Sequence, residues 1–358
     1  DCLLSRGLGD VYKRQVSILP QILLVRMISL YPEKVELYFS QSFYPLLFNL
    51  QQVFIKPIPF SFGDILYLSI GVYISYAAVR FLLQFKLPKT TDIIGVGICI
   101  SLLFLLFQLN WGINYHRTPL AEKLPTEIEY SDSLLIDLTT RFASMGNALH
   151  NQLSSSDTLA VTIPHTKKEI AKRIQSSYGD LWDSSVQVPQ VKASLFSLAL
   201  SYMGYAGYLN PFTLEAQVNM RMPKINLPVT IAHEMAHQLG YAAENEANFI
   251  GFINTFKNTD PYLQYAAVLF GFRHCYSDLV KRDPDQAKIL VQQLNPGILK
   301  NFAQSSDFWE EYKNPFEPFF KESYDVYLKA NGQESGIKTY NQVVAFLMAY
   351  DLQNKFNL

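Results

Sequence analysis

The chain has 358 residues, enough for one large domain and a membrane portion, and its 31 acidic against 30 basic residues leave a net charge of −1. That balance excludes a nucleic-acid partner held through its phosphates, which requires a basic surface. Three cysteines without CxxC spacing (Cys2, Cys99 and Cys275) exclude a disulfide framework, and Cys99 and Cys275 read as packing residues.

Residues 1–15 stand apart. The run Leu4, Ser5, Arg6, Gly7, Leu8, Gly9, Asp10, Val11, Tyr12, Lys13, Arg14, Gln15 resembles translated sequencing-adapter sequence. It lacks an initiator Met and the charge, apolar core and cleavage site of a signal peptide. We expect it to be non-native. Residues 16–115 are then expected to form transmembrane helices, the first of them cut short, and residues 116–358 a domain outside the cytoplasm.

Three apolar segments follow in order. Residues 16–30 carry Arg26 and are too short to span alone. Residues 65–85 are interrupted only by Arg80, near enough to one end to snorkel. Residues 93–112 hold no charge over a length that matches the hydrocarbon core of a bilayer. At the end of the last segment, Trp111 and Tyr115 suit an interfacial aromatic belt. Lys86 and Lys89 between the two stronger spans, with Arg80 before them, point to the cytoplasmic side, so everything after residue 112 is expected outside the cytoplasm.

The rest reads as amphipathic helix: residues 131–150, 167–177, 244–256, 261–281, 283–293 and 339–353 carry apolar residues at three- and four-residue spacing. Asp283 is a candidate N-cap with Pro284 at the first helical position. Residues 191–208 are apolar and broken by Gly204 and Gly207, and residues 213–220 suit a short strand. The expected fold class is mainly α, with two or three N-terminal transmembrane helices before a mostly helical domain with a short strand near the site.

The most specific signal is His233, Glu234, Met235, Ala236, His237. On a helix, residues four apart share a face, so both imidazoles can point at one zinc ion. Glu234 is then placed to take a proton from the water that zinc acidifies and to pass it to a leaving amine. Thr230 reads as an N-cap and Gly240 as a C-terminal stop that turns the chain back. Downstream, Glu244 and Glu246 both offer a carboxylate as third metal ligand. Glu244 and Asn248 share a helical face, an arrangement that resembles the glutamate-zincin pattern, in which a ligand Glu is followed four residues later by a residue that steadies a zinc-bound His. That likeness favours Glu244 as ligand and Asn248 as its supporting partner, with Glu246 the alternative. The short gap after His237 also resembles the metzincin spacing, with Gly240 in place but Ala243 where a third His stands in that pattern.

The chain resembles a family of uncharacterised bacterial membrane proteins, common in Bacteroidetes, taken to be zinc peptidases. The resembling residues are Trp111 to Tyr115, Asn210 to Ala216, Thr230 to Gly251, Tyr324 to Gln333 and Tyr340 to Val344. The resemblance implies a zincin-like domain, Zn2+ as cofactor, a bilayer anchor in the bacterial inner membrane with the catalytic domain periplasmic or extracellular, and a peptide or protein substrate of unspecified sequence. Tyr340 or Tyr327 is a candidate hydrogen-bond donor to the oxyanion of a tetrahedral intermediate. His116, His150, His165 and His274 have no partner at ligand spacing, and no Gly-rich phosphate loop, GxSxG or cysteine nucleophile arrangement is present. A non-catalytic zinc-binding sensor or scaffold of the envelope is the alternative function. The intact Glu234 speaks against it, because a structural metal site needs no base.

Overall fold

The computed structural model describes residues 18–84, 90–123, 130–178, 188–333 and 343–356. They are mainly helical and fall into two compact units. The first runs to Ile58 and takes in Phe62–Thr118 and Asn210–Leu214; the second comprises Pro59–Ser61, Pro119–Leu209 and Glu215–Leu358.

In the first unit, α1 (Ile18–Ser29) is followed by a π-helical stretch (Val35–Phe43), α2 (Tyr44–Ile55), α3 (Phe62–Gln84) and α4 (Thr90–Asn110). Two of these helices are long and apolar enough to cross a membrane: Phe62–Leu83, 22 residues with an 18-residue apolar window of which none is buried, and Asp92–Asn110, 19 residues. An apolar surface on all sides is what a lipid environment selects. At 12 residues, α1 is shorter than a span. The connection holding Lys86 and Lys89 lies outside the described residues.

Trp111 does not form part of an outer aromatic belt. Its side chain is buried, its ring 6.0 Å from that of Tyr44 and edge-on to Tyr115. The chain turns sharply there into a 3-10 turn, Gly112–His116, and that turn folds Trp111 inward. A β-carbon on Gly112 would sit 2.5 Å from Gln108 Oε1 and 2.6 Å from the Phe107 ring, so a larger residue there would displace those side chains. Arg117, just after the turn, reaches Glu36 of the π-helical stretch with two 2.8 Å hydrogen bonds. Both side chains are nearly buried, so the pair holds the stretch against the turn.

The second unit contains α5 (Asp132–Leu153), α6 (Lys167–Tyr178), β1 (Val191–Ala193), α7 (Ser197–Met203), β2 (Gly207–Asn210), β3 (Glu215–Val218), α8 (Leu227–Gln238), α9 (Glu244–Phe256), α10 (Pro261–Arg282), α11 (Pro284–Gln292), α12 (Pro296–Glu311), α13 (Glu317–Ala330) and α14 (Val343–Asn354). The Ser131 side chain caps α5 and the Asp283 side chain caps α11, each accepting from a first-turn amide.

The single expected strand is the middle of three. The sheet order is β1-β3-β2, with β1 parallel to β3 (Val191 opposite Ala216). The apolar stretch at 191–208 divides into strand, helix and strand because Gly204, at φ 76°, ends α7 in the left-handed region that only glycine adopts freely. The short connection from β2 to β3 makes that pair antiparallel, since a parallel crossover needs a dozen residues or more; Asn219 donates to the Ala206 carbonyl accordingly.

Two apolar clusters clamp the central helices. One joins α5, α9, α10 and α14 around Phe142, Phe252, Phe256 and Phe356, with Cys275 buried in it. The other packs Ile170 and Ile174 of α6 against Ile231, Met235 and Ala236 of α8. Each fully buried aliphatic side chain contributes about 1.5–3 kcal/mol, which fixes α8 as a buried helix. Cys99, expected to be a packing residue, is instead exposed on α4.

Thr230 does not cap α8. The helix starts at Leu227, one turn earlier, because Pro228 fits a first turn where its missing N–H costs nothing. Thr230 therefore lies inside the helix, its hydroxyl donating to the Asn226 carbonyl at 3.0 Å.

Candidate metal centre

Helices α8 and α9 form an antiparallel hairpin turned by Gly240, whose φ of 84° gives the sharp reversal after His237. The two helices touch backbone to backbone. A β-carbon on Gly251 would lie 2.8 Å from the His233 nitrogen and 3.0 Å from the Val229 carbonyl oxygen. That contact brings Glu244 of α9 opposite the imidazoles of α8.

One ligand atom from each of His233, His237 and Glu244 can be chosen so that all lie within 4.8 Å of one another, and all three side chains are buried. His233 Nε2 is 3.3 Å from Glu244 Oε2, and His237 Nε2 is 3.8 Å from Glu244 Oε1. The imidazoles sit edge to face, 4.7 Å between centroids.

The other ring nitrogens set the tautomers. His237 Nδ1 lies 2.7 Å from the Tyr241 carbonyl oxygen, which can only accept, so Nδ1 carries the proton. His233 Nδ1 is 3.0 Å from Asn248 Oδ1 and donates to it. In the neutral rings both Nε2 atoms then present lone pairs towards a carboxylate. Three facing lone-pair donors repel one another unless a cation lies among them. Zinc fits this donor set of two imidazoles and a carboxylate, with second nitrogens held by a carbonyl and an amide oxygen.

Without a cation the cluster relaxes by taking up a proton: burial opposes it, but the Glu244 and Glu234 carboxylates and Asn248 raise the His233 imidazole above its usual range. Burial raises the Glu244 carboxyl, but the neighbouring His233 and His237 imidazoles and the Tyr324 hydroxyl outweigh it and hold it down at about 2. Burial, aided by the positive charge at His233, pushes His237 down to about 4. For Glu234, burial dominates and drives the carboxyl up to about 8.

Glu234 is buried beside this cluster, and its Oε2 has no hydrogen-bond partner among the described residues. Strand β2 passes against it: a β-carbon on Gly207 would be 2.6 Å from Glu234 Oε1 and 2.6 Å from the Gln217 carbonyl oxygen. Glycine at 207 therefore lets the strand approach the carboxylate. Such a close approach resembles the use of small residues where backbone meets a reacting group.

The remaining sequence candidates fall elsewhere. Glu246 is buried, but its Oε1 accepts from the Leu120 amide at 2.6 Å. Tyr327 stacks on Tyr324, centroids 5.9 Å apart. Tyr340 lies outside the described residues. The sequence reading gave no part to Tyr324, whose hydroxyl donates to Glu244 Oε1, to the Tyr241 carbonyl or to Gly207. A backbone carbonyl leaves no trace in residue identity. Tyr324 is one tyrosine among 22 and lies far along the chain from the hairpin.

A family model described as "Protein of unknown function (DUF3810)" matches residues 39–348. No curated protein and no solved structure matches the chain.

Proposed function

Because the chain belongs to the DUF3810 family, whose description supplies no activity, we propose one from the site itself: a membrane-anchored, zinc-dependent peptidase. The observation that carries this reading is a buried carboxylate with an unpaired oxygen, Glu234, next to a three-residue cluster whose lone pairs converge. A structural metal site has no use for such a group, and leaving it unpaired costs about 1–3 kcal/mol. That cost favours an enzyme over the sensor or scaffold reading.

His233, His237 and Glu244 would hold the metal. When bound, zinc supplies Lewis acidity, lowering the pKa of a water to near neutrality, and its charge favours ionised Glu234. Glu234 accepts a proton from the attacking water and returns it to the leaving nitrogen as the C–N bond breaks. Asn248 and the Tyr241 carbonyl orient the two rings by holding their Nδ1 protons. The peptide substrate comes from the likeness of this motif and its chemistry to zincins.

The two long apolar helices, α3 and α4, serve as the anchor in a bacterial inner membrane. Lys86 and Lys89 between them put that connection in the cytoplasm and the site outside it. Cysteine-labelling of intact cells at position 86 and at exposed Lys288 tests this: an impermeant reagent should reach the second alone.

The decisive comparison for the chemistry is Glu234→Gln in the purified full chain. The expected result is retained zinc with peptide hydrolysis lowered by about 10²–10⁴-fold. Equal hydrolysis by both proteins would overturn the assignment of Glu234.

A further inference from the structure

We infer that Tyr324 makes Glu244 a one-oxygen metal ligand, by occupying Oε1 and leaving Oε2 to face the ion. The inference rests on the zinc reading above and specifies how the third ligand is set. A glutamate can bind a metal through one oxygen or both, and the choice decides whether positions remain for water and substrate.

The two oxygens of Glu244 are not equivalent. Oε1 receives the Tyr324 hydroxyl. Oε2 is buried, carries no hydrogen bond among the described residues, and is the one nearer His233 Nε2, at 3.3 Å. An unpartnered carboxylate oxygen directed at an imidazole lone pair is the oxygen left for a cation.

Tyr324 is itself held in place. Its ring packs at 5.7 Å on Tyr205 and stacks on Tyr327. Tyr205 in turn donates to the Phe320 carbonyl at 2.8 Å, fixing the segment before β2 to α13. The hydroxyl position therefore comes from aromatic packing and not from Glu244 alone, as expected of a group that orients a ligand. Tyr324 is a positioning residue: it touches the ligand, not the reacting atoms.

The test uses the full chain in detergent with zinc alone, measured by chelator competition, and with Co2+ as a spectroscopic probe. Tyr324→Phe keeps the ring and its packing while removing the hydroxyl. The expected result is zinc binding weaker by about 10–100-fold, and weaker visible Co2+ absorption, because Glu244 now binds through both oxygens and raises the coordination number. Tyr327→Phe, which removes a hydroxyl from the same stacked pair but leaves the Tyr324 hydroxyl on Glu244, should leave both readouts at the wild-type level. Tyr324→Phe with wild-type zinc affinity and an unchanged Co2+ spectrum would overturn the inference while leaving the zinc reading intact. Wild-type protein that takes up no zinc would overturn the zinc reading itself, so the two failures are distinguishable.

Discussion

Two buried histidine sites in the second unit use the same side chain in opposite ways. His150 is fully enclosed, and both its nitrogens are spent: Nε2 donates to the Leu159 carbonyl at 2.8 Å, and Nδ1 accepts from Asn295 Nδ2 at 3.2 Å. His233 and His237 hold Nδ1 in this way and turn Nε2 towards Glu244. Burial is common to both sites. What separates them is the direction of the second nitrogen. A histidine with both nitrogens paired stabilises the fold, whereas lone pairs gathered around a carboxylate spend stability to hold a cation.

The largest expected effect breaks that comparison directly. His237→Ala should abolish tight zinc binding, whereas His150→Ala should leave zinc binding unchanged and lower the midpoint of thermal unfolding, as read by calorimetry and metal titration on the same samples. Loss of zinc from the His150 variant would erase the distinction.

A steric probe sharpens it. A β-carbon on Gly297 would fall 2.2 Å from both His150 Nε2 and the Leu159 carbonyl oxygen. Gly297→Ala should therefore destabilise by about 1–3 kcal/mol in denaturant unfolding, with zinc affinity intact. A neutral effect would mean that the His150 site is loosely packed.

A third probe lies away from both histidine sites, at the contact between α5 and α14. Arg141 of α5 grips Asp351 of α14 with two hydrogen bonds, and Asp351 also accepts from the Phe356 amide at 2.9 Å. Burial alone lifts the Asp351 carboxyl, but the Arg141 guanidinium and the Phe356 amide hold it below its usual range. The folded state thus binds the proton more weakly than the unfolded chain does. The contribution is complete above the ordinary carboxylate range and is lost as pH falls through the lower, folded value. Arg141→Met should cost about 1–3 kcal/mol near neutrality and less in acid, as denaturation curves at several pH values would show. At the small end, Lys288→Ala removes an exposed pair with Asp285 and should change stability by less than about 0.5 kcal/mol.

How much of this was legible in the sequence depended on whether a feature is local. Helices α5, α6, α9 and α11 are visible because periodicity and caps such as Ser131 and Asp283 act within one turn. The grouping of His233, His237 and Glu244 is readable because helical spacing and the Gly240 turn bring close neighbours together. Three things were not readable. The start of α8 was misplaced because two start signals, Pro228 and Thr230, compete within one turn. The three-stranded sheet was reduced to one strand because β1 and β2 lie within one apolar stretch broken by Gly204 and Gly207, where only pairing marks the short runs as strands. Glu246 and Glu244 look alike in sequence, and only tertiary packing tells them apart, by gathering Glu244 with the two imidazoles and giving Glu246 the Leu120 amide.

The most direct test of the central claim is the metal content of the purified full chain, measured alongside His233→Ala and His150→Ala. The account predicts one zinc per wild-type chain, retained by His150→Ala and lost by His233→Ala. Wild-type protein without stoichiometric zinc, or with zinc that survives His233→Ala, would contradict it.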